Sequence, residues 1–235
     1  MLVDSCDVTD DIRAISDAAR PAAVLWDMDG TLVDTEPYWL AAETELVRAW
    51  GGEWSLDDGL ALVGSSLERS SLILASRGVE LESGEIIQLL TDRVLAQLAD
   101  EVPWRPGARE LLLALHEAEV PTALVTMSIR RMADHIAEAA GFPAFDVVVA
   151  GDEVDNGKPH PEPYLRAARA LGVDPTDCIA VEDSEFGVAS AVASGATTLA
   201  VPLHVALPPS PAYTLWDSLH GRSLDELFEL RRVFR

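Results

Sequence analysis

Asp27 and Asp29 stand one residue apart at the end of an apolar run, the first place in the chain where chemistry could be done. Like charges this close repel, and each raises the other's pKa. A bound divalent cation would justify the pair, as would a reaction needing one ionised and one protonatable carboxyl. Aspartates also cap turns, and Gly30-Thr31 follow as turn signals, so capping is the plain alternative. Other positions hold groups suited to phosphoryl transfer, which needs a nucleophile, cations for the phosphate oxygens and a proton for the leaving group. Glu182 and Asp183 add acidic oxygens for Mg²⁺, a cation that takes one or two carboxylates and keeps several waters. Thr126 offers a hydroxyl, and the backbone N–H groups of Met127 and Ser128 would open the next helix, where anions bind readily. Lys158, in Gly157-Lys158-Pro159-His160-Pro161, is the only lysine among 17 basic residues and offers a compact positive charge.

These residues are scattered, so the fold must gather them. Ala22 to Trp26 reads as a strand buried on both faces. Residues 36–103 read as helical throughout. Glu36-Pro37 suits a helix start; Trp39, Leu46, Val47 and Trp50 recur near helical spacing; Gly51-Gly52 stops the run. Ile87, Leu90, Val94 and Leu98 form a second apolar face. From Trp104 onward, strands alternate with helices: strands at 122–126, 146–150, 178–182 and 197–201, helices at about 108–115, 128–140, 162–171 and 185–194. A proline-rich loop (202–211) and a short closing helix (223–232) follow. The pattern predicts an α/β fold: a doubly wound parallel sheet, Rossmann-like, with an inserted all-helical cap. The core comprises 1–35 and 104–235, and the cap 36–103. In such sheets ligands bind beyond the carboxyl ends of the strands, where Asp27, Thr126 and Glu182-Asp183 all fall.

The stretch from Val24 to Thr35 resembles the first motif of the haloacid dehalogenase superfamily, whose phosphatase members carry Asp-x-Asp-Gly-Thr-Leu-x-Asp. The resemblance implies Asp27 as nucleophile and Asp29 as general acid/base, with Asp27, Asp29, Glu182 and Asp183 around Mg²⁺. Thr126, and Lys158 in Gly-Lys-Pro, match the remaining motifs in order. The run Glu182-Asp183-Ser184-x-x-Gly187 is similar to that of the β-phosphoglucomutase and sugar-phosphate phosphatase branch. The likeness spans about residues 22–201. It implies hydrolysis of a small phosphorylated metabolite through an aspartyl-phosphate. Thr35, Glu36, Trp39 and Arg69 are the candidates for contacting the leaving group.

Other members of the superfamily fit less well. Its dehalogenases lack the second aspartate, and its phosphonatases resemble a pattern with a cap lysine, which residues 36–103 do not contain. β-Phosphoglucomutase is the nearest alternative, but such mutases carry a histidine where Trp39 stands and an arginine near Leu67; only Arg69 lies close. A non-catalytic phosphate-binding module would be favoured by a broken motif, and none is broken.

Composition narrows partners and setting. Acidic residues outnumber basic ones 40 to 17, giving a net charge of −23 that repels nucleic acid and anionic membranes. An anionic substrate must therefore be drawn in by a local positive site. Cys6 and Cys178 suggest neither a disulfide framework nor a zinc site. The first twenty residues are acidic and without a long apolar run, which predicts no signal peptide or membrane anchor and a cytoplasmic protein. A monomer or weak dimer is expected.

Overall fold

The computed structural model describes residues 20–233; Cys6 and the acidic tail lie outside them. Six parallel strands, β1 (Ala23–Trp26), β2 (Thr122–Val125), β3 (Val147–Val149), β4 (Cys178–Glu182), β5 (Thr197–Ala200) and β6 (Thr214–Leu215), form one sheet in the order β3-β2-β1-β4-β5-β6. The order reverses at β1, so β1 sits centrally, flanked by β2 and β4. Its four residues are all buried, which is why it reads as an unbroken apolar run. Alternate side chains serve opposite faces. Val24 and Trp26 join one apolar cluster, with Leu111 and Leu112 of α5 (Ala108–Glu117), Met132 and Ile136 of α6 (Arg130–Ala139) and Leu227 of α9 (Leu224–Val233). Ala23 and Leu25 join the other, with Tyr164 and Ala167 of α7 (Glu162–Leu171) and Ala191 of α8 (Glu185–Ser194). Both faces are covered, as doubly wound sheets require. The alanines of the second cluster let α7 and α8 pack close to the sheet.

Between β1 and α5 run four helices and no strand: α1 (Glu36–Ala49), α2 (Leu56–Leu60), α3 (Leu67–Ser76) and α4 (Ser83–Leu98). The predicted face Ile87, Leu90, Val94 and Leu98 is buried, together with Trp39, Leu46 and Val47 of α1. Trp50 departs from the expectation: it follows the end of α1 and is 40% exposed. The two connections to this insertion lie side by side, since Asp34 N–H donates to Pro103 O at 2.9 Å. Cys178 is buried in β4, and burial pushes its thiol up to about 12. Among the described residues no helix is long and apolar enough to cross a membrane.

Candidate active site

Asp27 follows β1 directly, and its backbone N–H donates to Val181 O at 3.0 Å, extending the ladder one residue past the strand. The chain then turns sharply. Leu32 and Val33 N–H both reach Met28 O, at 2.9 and 3.1 Å, and Gly30 N–H reaches Val33 O at 2.8 Å. Gly30 has φ +82°, and a Cβ there would lie 2.1 Å from Asp183 Oδ2. Only glycine satisfies both the left-handed backbone and the close approach of Asp183. The buried Arg105 braces this turn, donating to Gly30 O and Val201 O, each at 2.6 Å.

Lys158 Nζ lies 2.6 Å from Asp27 Oδ1, 2.6 Å from Glu182 Oε1 and 2.9 Å from Val125 O, its side chain 2% exposed. Burial opposes the ammonium, yet Asp27 and Glu182 outweigh it and hold Lys158 above the usual lysine range. Both Glu182 oxygens are engaged: Oε1 also accepts from Tyr164 Oη at 2.5 Å, and Oε2 from Asp183 N–H at 3.3 Å. Gly187 makes room for it, since a Cβ there would sit 1.9 Å from Glu182 Oε2. Asp27 is different. Its Oδ2 is buried without a hydrogen-bond partner among the described residues. Burial, reinforced by Glu182 and opposed by Lys158, pushes its carboxyl up to about 7. Burial raises Asp183 as well, with Asp27 and Glu182 adding to it.

One carboxylate oxygen from each of Asp27, Glu182 and Asp183 lies within 4.8 Å of the others. With all three carboxylates ionised, the Lys158 ammonium that touches Asp27 and Glu182 would leave two negative charges uncompensated in a buried space. An all-oxygen donor set with that deficit suits a hard divalent cation such as Mg²⁺. Asp27 and Asp183 are the carboxylates free to hold it, because Glu182 is occupied with Lys158, Tyr164 and a backbone N–H.

Asp29, expected among the metal ligands, stands outside that carboxylate cluster. Four donors converge on it instead. Oδ1 accepts from Thr35 Oγ1 at 2.5 Å and Trp39 Nε1 at 3.2 Å; Oδ2 accepts from Thr126 Oγ1 at 3.3 Å and Ser128 Oγ at 2.7 Å. The physical reason is the turn at Gly30, which sends Asp27 and Asp29 to opposite neighbours. Ser128 also differs from expectation: α6 begins at Arg130, and the Ser128 N–H is taken by Thr126 Oγ1 at 3.0 Å.

These side chains line one cavity. Its sheet-side wall includes Asp27, Asp29, Thr126, Met127, Ser128, Lys158 and Asp183. The facing wall, from the helical insertion, includes Glu36, Trp39, Glu43, Leu62, Ser65, Leu67 and Ser70. Two expected leaving-group contacts are not on it. Thr35 is fully buried and serves Asp29. The Arg69 guanidinium lies over the Phe186 ring of α8, 5.1 Å from its centroid, because its position on α3 directs it toward the sheet domain's helix instead of the cavity. Arg105, Tyr164 and Glu43 were not singled out from the sequence. Nothing local marks the first two, whose roles depend on approach from distant segments. Glu43 had a signal: seven residues after Glu36, it shares a helix face with it.

A parallel sheet bearing this carboxylate and lysine centre at its strand ends, faced by inserted helices, defines a Rossmann-like α/β protein with its candidate site at the strand carboxyl ends. The chain belongs to the haloacid dehalogenase-like hydrolases, a family it matches over residues 21–195. It is 33% identical over 178 residues to fructose-1-phosphate phosphatase YqaB of Escherichia coli, covering 75% of this chain and 94% of that one. It is 35% identical over 190 residues to hexitol phosphatase A of the same organism, covering 77% and 83%. Among solved structures, CbbY from Rhodobacter sphaeroides in complex with phosphate superposes with a TM-score of 0.78 at 29% identity, covering 86% of this chain and 96% of that one.

Proposed function

We propose that this phosphoric monoester hydrolase is Mg²⁺-dependent and cleaves a small sugar or polyol phosphate through an aspartyl-phosphate on Asp27. The carrying observation is the asymmetry of the Asp27 carboxylate: Oδ1 is tied to Lys158 at 2.6 Å, while Oδ2 has no hydrogen-bond partner among the described residues. A carboxylate held through one oxygen presents the other at a fixed angle for in-line attack. Attack on phosphorus breaks the bond to the leaving oxygen, and Asp29, on the opposite side of the turn, gives that oxygen its proton. Asp29 then takes a proton from the water that attacks the acyl-phosphate, releasing inorganic phosphate and restoring Asp27. Lys158 sets its positive charge beside the phosphate, and the Met127 N–H, with the Thr126 and Ser128 hydroxyls once they turn from Asp29, would donate to the phosphate oxygens. When bound by Asp27 and Asp183, Mg²⁺ would neutralise phosphate charge and so let an anionic nucleophile approach.

The insertion, residues 36–103, acts as a lid whose hinges are the paired connections at Thr35-Glu36-Pro37 and near Pro103. A phosphomutase would grip two phosphates, and Lys158 is the only basic residue lining the cavity among the described residues, which favours hydrolysis. The test is turnover of a chromogenic phosphomonoester with Mg²⁺, its loss in excess chelator, and mass-spectrometric detection of phosphate on Asp27 after acid quench. Full activity in chelator, or label on another residue, would overturn the reading.

A further inference from the structure

The insertion's wall of the cavity carries acids and hydroxyls but no cation. Glu36 and Glu43 lie two turns apart on α1, with Trp39 between them, and all three line the cavity. Glu43 is 5% exposed; Oε2 accepts from Trp54 Nε1 at 3.1 Å, and Oε1 has no hydrogen-bond partner among the described residues. Among the described residues two hydroxyls beside them are also without a hydrogen-bond partner: that of Ser70, a residue 5% exposed, and that of Ser65, whose Oγ is buried. The insertion's arginines are placed elsewhere. Arg69 stacks on Phe186, Arg77 pairs with Asp58, and Arg93 with Glu45. Arg48 lines a different hollow.

Resting on the phosphatase reading, we infer that Glu36 and Glu43 are specificity-determining residues that admit a hydroxyl-bearing leaving group and reject one carrying a second anionic group. The buried Ser65 Oγ, unpaired among the described residues, calls for a hydrogen-bonding group on the ligand, and Glu43 Oε1 and the Ser70 hydroxyl are free to bond one as well. Sugar or polyol hydroxyls supply them, donating to a carboxylate and accepting from a serine. A second phosphate or a carboxylate finds no cation on this wall and two acids in its place. Burial pushes Glu43 up to about 7 and Glu36 up to about 8. A hydroxyl suits either protonation state, whereas an anion meets a repelling charge or must keep both acids protonated. Rejection of an unwanted partner is built from repulsion as much as from attraction.

The experiment compares kcat/KM for three esters at a pH above 8: a monophosphate whose leaving group is an uncharged polyol, such as glycerol 1-phosphate, its carboxylate-bearing counterpart 3-phosphoglycerate, and a sugar bisphosphate. The wild type is expected to favour the polyol ester by about tenfold or more, a difference of about 1.4 kcal/mol. Glu43→Gln and Glu36→Gln should each narrow that ratio several-fold. Glutamine at 43 keeps an oxygen for Trp54, and a ratio within one preparation cancels any loss of folded protein. Equal turnover of the three esters by the wild type overturns the inference, as does an unchanged ratio in both variants. Failure of all three, with the chromogenic ester also inert in Mg²⁺, overturns the phosphatase reading instead.

Discussion

The two walls of the cavity treat charge in opposite ways. On the sheet side the ammonium of Lys158 is shared between Asp27 and Glu182, Tyr164 steadies Glu182, and four donors surround Asp29. On the insertion side Glu36 and Glu43 face the same space with no cation beside them on that wall among the described residues. A wall that must hold reacting atoms in one geometry needs its polar groups tied down. A wall that only samples the leaving group can leave groups open, because the ligand completes them. The sheet side is accordingly the place where substitution should cost rate, and the insertion side the place where it should change preference.

Asp27→Asn is the severest way to break that division. An amide cannot form the acyl-phosphate, yet its oxygen can still accept from Lys158, so turnover should fall to background while the circular dichroism spectrum and unfolding midpoint are kept. Retention of wild-type kcat would remove the sheet-side wall from catalysis. Asp29→Asn comes next. It leaves the nucleophile intact but removes the proton relay, so single-turnover phosphorylation and dephosphorylation of Asp27 should each slow by roughly 10²–10⁴-fold. Slowing of only one half-reaction would show that Asp29 serves one proton transfer and not both.

The sheet side was also the legible side. Buried parallel strands are short apolar runs, and their carboxyl ends converge, so Asp27, Thr126 and Glu182-Asp183 could be gathered from order alone. β6, of two residues, carries no such run, and α2, of five, is too short for a helical period to show. The direction of the Asp29 carboxylate, toward Thr35, Trp39, Thr126 and Ser128, depends on the left-handed turn at Gly30, a three-dimensional fact. The placement of Arg69 over Phe186 was hidden for a related reason: helical spacing says which residues share a face, not which neighbour that face meets. Tyr164 and Arg105 act across long separations in sequence, bonding Glu182 and the Gly30 turn, and no local pattern announces such contacts.

A smaller effect on stability sharpens the insertion side of the comparison. The Glu43 carboxyl is raised from 4.5 in the unfolded chain to about 7 in the folded protein, by burial. Raised in the fold, it contributes stability that is fully present below about pH 4.5 and lost as pH climbs through 7. The loss is at most about 3 kcal/mol from this group. Glu43→Gln cannot ionise, so it should match the wild type in acid and exceed its urea-unfolding free energy at pH 8 in metal-free buffer. A constant gap between the two proteins from pH 4 to 8 would mean that Glu43 does not titrate across that range.

The mildest substitution falls on the residue that belongs to both walls. Trp39 lines the cavity from α1, and its indole N–H also donates to Asp29 Oδ1 at 3.2 Å. Trp39→Phe keeps an aromatic ring of similar reach and deletes that one donor, while Thr35, Thr126 and Ser128 still hold Asp29. A hydrogen bond to a charged group is worth about 1.5–3 kcal/mol, and a long one belongs near the lower end, so the loss should be about tenfold. Which ester suffers tells which wall Trp39 serves. If its part is to hold Asp29, kcat should fall equally for the chromogenic ester and the polyol phosphate, with little change in KM. If its part is to meet the leaving group, KM for the polyol phosphate should rise while the chromogenic ester is turned over as before. The 3.2 Å bond favours the first outcome, because a ring tied to the acid/base is not free to follow the substrate. The second outcome would move Trp39 wholly to the selecting wall and leave Asp29 oriented by hydroxyls alone.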